Sequence, residues 1–121
     1  MIGEIHTFLG QAAIYVSGAV GLWATVLAFA KRPLPRIFFW ASGVAITMFV
    51  VQVSLGLWMY QGGRDPGSAH LFYGVVILFT VAFAYVYRAQ FERRPAVGWA
   101  LLMLFLSGLG IRGWLNFLVW F

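Results

Sequence analysis

Every proline in this chain lies in a short polar break: Pro33 and Pro35 within Lys31–Arg36, Pro66 within Gln61–Ser68, and Pro95 within Glu92–Pro95. Proline lacks a backbone donor and clashes with the preceding helical turn, so a helix does not run straight through such a break. Between the breaks lie predominantly apolar runs of about 20–25 residues, the length a helix needs to cross about 30 Å of hydrocarbon. They fall near residues 4–30, 37–60, 69–88 and 96–119. Isolated strands cannot span lipid because their backbone groups go unpaired, which leaves helices. Short connections between successive helices predict an up-down-up-down bundle. The expected fold is all-α: one domain over 1–121 with four transmembrane helices and both termini outside.

Composition excludes the alternatives. Of 121 residues, 63% are hydrophobic and 9% charged, whereas an average soluble domain is about 25% charged. A soluble protein of this size buries only about two-thirds of its surface and cannot hide so much apolar material. A soluble globular enzyme and a disordered chain are both excluded. The chain has no cysteine, which removes disulfides, thiolate nucleophiles, iron–sulfur clusters and covalent c-type haem attachment. Two histidines and three acids (Glu4, Asp65 and Glu92) are too few for a structural zinc site or a copper cluster within the chain.

The net charge of +5 is a signal of topology rather than of nucleic acid. Six of the eight basic residues flank the first and third breaks: Lys31, Arg32, Arg36, Arg88, Arg93 and Arg94. Arg64 and Arg112 lie toward the opposite side. The positive-inside rule then places the two basic loops in the cytoplasm. Met1–Ile5 carries no positively charged region, so the first helix is expected to be retained rather than cleaved. The six tryptophans fall mostly near span ends, as interfacial anchors do. The expected location is a bacterial inner membrane, multi-pass. Expected partners are the lipid bilayer and either further subunits of a membrane redox complex or a second copy of the chain, with no nucleic acid.

The depth of the polar residues narrows the chemistry. At about 1.5 Å per residue, His6 and His70 lie near the outer ends of two helices that run in the same direction. Gln11 and Gln52 fall in the outer halves of the first two spans. Arg112, about 24 Å along the last helix, reaches the same zone. Strongly polar groups inside a membrane are costly and usually functional. Both histidines begin the same pattern, His6-Thr7-Phe8-Leu9-Gly10 and His70-Leu71-Phe72-Tyr73-Gly74. Residues i and i+4 share a helix face, so Gly10 and Gly74 lie below their histidines. On the first helix that face continues through Ala13, Ser17 and Gly21, a run of small side chains able to open a slot for a flat macrocycle. In a square bundle the first and third helices are diagonal, roughly 13 Å apart. Two imidazoles and one iron fit that gap, so bis-histidine ligation of haem b is the expectation, with His6 and His70 as metal ligands.

Each feature has a plainer alternative. A histidine at a span end can be an interfacial polar residue, and glycines at helical spacing often serve close packing. Arg112 either snorkels to the headgroups or pairs with a haem propionate. Arg64 beside Asp65 is either a turn with a local ion pair or part of the site. Gln11 and Gln52 either bond across helices or face the cofactor.

The stretch from Val51-Gln52-Val53-Ser54-Leu55-Gly56 through the Gly/Asp/Pro turn to Ala69-His70-Leu71 resembles haem A synthase. In that family a Gln-x-x-Leu-Gly-like helix end, a short external turn and a His-Leu helix start recur. Glu4-Ile5-His6-Thr7-Phe8-Leu9-Gly10 is similar to the family's other ligand helix, where an acid precedes a histidine and a glycine follows. Each half of haem A synthase is a four-helix bundle with two haem-ligating histidines at its outer side. The resemblance therefore covers nearly the whole chain and implies that His6 and His70 are the ligand pair. The synthase fuses two halves where this chain has one, and the plan also resembles small b-type membrane cytochromes. Three functions follow as expectations: a small b-type cytochrome or haem-bearing subunit of a respiratory or photosynthetic electron-transfer complex, a structural accessory subunit without haem, or a half-size haem A synthase-like protein. Electron transfer is favoured over catalysis by the chain alone.

Overall fold

A computed structural model describes residues 2–63 and 68–119, with side chains placed over 3–63 and 70–115. The described residues form five helices and no strand: α1 (Ile2–Phe29), α2 (Arg36–Gln61), α3 (Ser68–Val86), α4 (Arg88–Phe91) and α5 (Pro95–Val119). The all-α class is as expected. At about 1.5 Å per residue, α1 is about 42 Å long, α2 about 39 Å, α5 about 37 Å and α3 only about 28 Å. Within the described residues α1, α2 and α5 are long and apolar enough to cross a membrane, while the apolar stretch His70–Val86 of α3 is shorter.

The breaks are built by the residues that predicted them, with one correction. α1 closes on Lys31, which adopts a left-handed backbone (φ 56°). There the Arg32 amide donates to the Leu27 carbonyl and the Lys31 amide to that of Ala28. This is a Schellman closure with lysine in the position glycine usually fills, and Pro33 and Pro35 then prevent continuation. α2 closes through Gly62 and Gly63, and Gly63, at φ 96°, has a backbone that an L side chain rarely adopts. The span expected over 69–88 ends instead at Val86. Tyr87 leaves helical geometry (φ −99°, ψ 22°) and the single turn α4 follows. No proline marks this break, which is why the apolar run read as one helix. α5 then opens with Pro95 in its first turn, where a missing amide costs nothing.

The four long helices form a ring in the order α1, α2, α3, α5, with α1 and α3 on one diagonal. α1 packs extensively against α5 and α2, α3 packs against α5, and α2 meets α3 only sparsely. Small side chains bring α1 and α5 together. Gly21 lies against Leu104, Gly18 against the Ser107 hydroxyl, and Gly110 against Ile14. Ser17 and Ser107 both donate to the Ile14 carbonyl, at 3.1 and 3.0 Å. The run Ala13, Ser17, Gly21 is therefore packing between helices below the histidines, not an extended slot. At the basic end, Trp23, Phe38, Phe39, Phe91 and Trp99 interlock edge to face, with ring centroids 5.4–6.0 Å apart.

The bundle is apolar outside as well as inside. Phe8, Tyr15, Phe29 and Trp40 are each at least 69% exposed, while Ala13, Ala24, Ala45, Ser17 and Ser42 are wholly buried. Such a surface suits hydrocarbon rather than water. In hydrocarbon, large side chains gain little by turning inward, and close backbone approach through small residues drives association instead.

Candidate functional site

Opposite the basic end, the four long helices enclose a cavity of about 470 Å³, within the range of small-molecule and cofactor sites. Ile14, Phe49 and Ile77 are among its apolar lining. His6 and His70 line it from diagonal helices, and their ring centroids stand 6.1 Å apart with planes 76° from parallel. The equal depth expected of the two histidines is thus realised. Two imidazoles bound through Nε2 on opposite sides of one metal, with bonds of about 2 Å, have centroids roughly 6.3 Å apart.

Each ring is anchored through Nδ1 to a backbone carbonyl of a third helix. His6 Nδ1 donates to the Gln52 carbonyl of α2 at 2.6 Å, and His70 Nδ1 to the Gly113 carbonyl of α5 at 2.8 Å. A carbonyl oxygen only accepts, so Nδ1 carries the proton in both rings. In a neutral imidazole Nε2 then keeps the lone pair. This is the arrangement that fixes the tautomer and aim of metal-ligating histidines.

Glycines let the rings reach their anchors. His6 lies directly over the α2 backbone at Gly56, where a Cβ would come within 2.9 Å of Cε1. Gly113 brings α5 against Tyr73 of α3, whose Cβ would stand 3.4 Å from a Cβ added there. Sequence reading missed the role of Gly56, which entered only within the quoted resemblance, and missed Gly113 and Tyr73 altogether. Gly110 and Gly113 lie three residues apart on α5, but they face different neighbours, Gly110 toward Ile14 and Phe49 and Gly113 toward Tyr73.

The other predicted residues are partly assembled. Gly10, Gly74, Gln11 and Gln52 all line the cavity. The space above Gly10 is taken by the Gln52 amide, whose Oε1 would stand 3.4 Å from an added Cβ, and Gly74 faces Val53 at 3.6 Å. Arg112 does not line the cavity. It lies exposed beside it and donates through Nε to the hydroxyl of Tyr73, 3.4 Å away. Tyr73 does line the cavity. Arg64, with Asp65, lies outside the described residues.

The donor set decides what could occupy such a site. Among the described residues no group of three or more His, Cys, Asp or Glu side chains gathers. Two neutral imidazoles leave a bare zinc ion two ligands short, and a lone ion has no use for an apolar chamber of this size. A metal that arrives within an organic macrocycle would need few protein donors and mainly apolar walls. Among the described residues, His6 and His70 are the side chains that could hold such a group, within the cavity's largely apolar walls. The chain matches no family model, no curated protein and no solved structure.

Proposed function

We propose that this chain is a four-span membrane cytochrome of the b type, or the haem-bearing subunit of a larger electron-transfer complex, in a bacterial inner membrane. The observation that carries the reading is the pairing of His6 with His70 at 6.1 Å, each fixed through Nδ1 by a carbonyl of a different helix. α3, with 19 residues, is taken as the fourth span, slightly shorter than the bilayer core. Lys31, Arg32, Arg36, Arg88, Arg93 and Arg94 are exposed at one end, and the positive-inside rule makes that end cytoplasmic. The cavity and both termini then belong to the outer side.

In this reading His6 and His70 would hold the haem iron, with the Gln52 and Gly113 carbonyls fixing the Nδ1 side of each ring. The apolar walls exclude water from the macrocycle. Arg112, hydrogen-bonded to Tyr73, offers a cation to the propionate carboxylates at the cavity's edge. Bound haem supplies a one-electron iron couple, which suits transfer of single electrons within the membrane.

Absorption spectra of the purified protein, oxidised and then reduced with dithionite, test the proposal. A Soret band with sharp α and β bands on reduction supports it. A pure protein with no Soret band after expression with added haem precursor rejects it in favour of an accessory subunit without haem.

A further inference from the structure

We infer that the seam between α2 and α3 is the entrance to the histidine cavity, through which a flat apolar macrocycle passes sideways from the hydrocarbon. The inference rests on the reading of the cavity as a haem site and adds the route by which the site is filled.

The four seams of the ring are unequal. The α1–α2 seam is tied beside the cavity by His6 on the Gln52 carbonyl. The α1–α5 seam is tied by Ser107 on the Ile14 carbonyl and by the close approach of Gly110 to Ile14. The α3–α5 seam is tied by His70 on the Gly113 carbonyl and by Arg112 on Tyr73. α2 and α3 are neighbours in the ring and in the chain, yet among the described residues they touch far less than the other three pairs. One contact between them at the cavity is Val53 against Gly74, where an added Cβ would lie 3.6 Å from Val53 Cγ1.

Lipid favours parting at such a place. Between membrane helices there is no hydrophobic drive, and polar ties with close backbone packing do most of the holding. An apolar seam with few contacts can be replaced by acyl chains at little cost, so it is the seam of lowest opening free energy. At its far end α3 is bounded by a departure from helix at Tyr87. It can lean away from α2 while staying tied to α5, carrying His70 with it. An apolar macrocycle dissolved in the bilayer arrives at this seam without crossing water.

The test uses the full chain, which has no native cysteine. Val53→Cys with Gly74→Cys spans the α2–α3 seam, where an added Cβ at Gly74 lies 3.6 Å from Val53 Cγ1. Gly18→Cys with Ser107→Cys spans α1–α5, where the Cβ separation of 3.9 Å lies inside the disulfide range of about 3.5–4.5 Å. Each pair is closed in haem-free protein with a mild oxidant, or with a short bis-methanethiosulfonate bridge where oxidation is incomplete. Uptake of added haemin in micelles is then followed by Soret absorbance, with the reduced form of each variant as its reference.

Closing the α2–α3 pair should slow uptake about tenfold or more, and reduction should restore it. Closing the α1–α5 pair should leave the rate unchanged. Equal uptake with the α2–α3 pair open and closed overturns the entrance, as does equal slowing by both closures. If the unsubstituted chain takes up no haemin, the haem reading itself fails and the entrance falls with it.

Discussion

His6 of α1 and His70 of α3 place their ring centroids 6.1 Å apart across the bundle diagonal, yet neither relies on the other's helix for its anchor. His6 is held by α2 and His70 by α5. All four long helices therefore contribute to one pair of rings. Displacing any one of them moves a histidine ring, which couples the site to the packing of the whole bundle.

Removing one imidazole should leave the metal with a single axial ligand. His6→Ala and His70→Ala are each expected to lose the low-spin spectrum while the protein still inserts. Exogenous imidazole should partly restore it through the space left behind. Either variant with a full native spectrum shows that its histidine is not a ligand.

Gly56 should act as a positioning residue. Gly56→Ala puts a methyl within 2.9 Å of His6 Cε1, and the contact is relieved by moving the ring off the Gln52 carbonyl. Overpacking of this kind costs about 1–3 kcal/mol. The expected outcome is a shifted reduction potential and altered low-spin bands, with helix content by circular dichroism unchanged. A Gly56→Ala protein with native potential and spectrum would place His6 elsewhere.

Glycines that bring helices together should be separable from those that stand open. Gly110→Ala drives a methyl to 2.7 Å from Ile14 and 3.1 Å from Phe49, and should lower the stability of the haem-free bundle by about 1–3 kcal/mol. Gly43 is exposed with nothing near its added Cβ, so Gly43→Ala should be neutral or stabilising by about 0.5–1 kcal/mol through helix propensity. Denaturant titration in micelles reads the difference. Equal losses at Gly110 and Gly43 would contradict the packing described.

Orientation can be read with single cysteines on the native cysteine-free background. In intact cells Pro35→Cys and Glu92→Cys should react only with membrane-permeant reagents. Gly62→Cys, exposed at the other end of α2, should also react with impermeant ones. The reverse pattern would place the histidine cavity on the cytoplasmic side.

Local chemistry made much of this molecule readable from its residues. Proline-bearing breaks and apolar runs located α1, α2 and α5 closely, because a chain in hydrocarbon must satisfy its backbone within each segment. The shared level of His6 and His70 also followed, since rise per residue converts position into depth. Other features depend on which faces meet, and a single sequence does not state that. The end of α3 at Val86 has no proline to announce it. Gly10 proved to face the Gln52 amide, Gly21 proved to pack α1 on Leu104 of α5, and Ser17 proved to bond within α1. The carbonyl anchors of Gln52 and Gly113 belong to the backbone, which carries no side-chain signature, so only the docking of α2 and α5 beside the histidines determined which ring nitrogen is turned to the backbone.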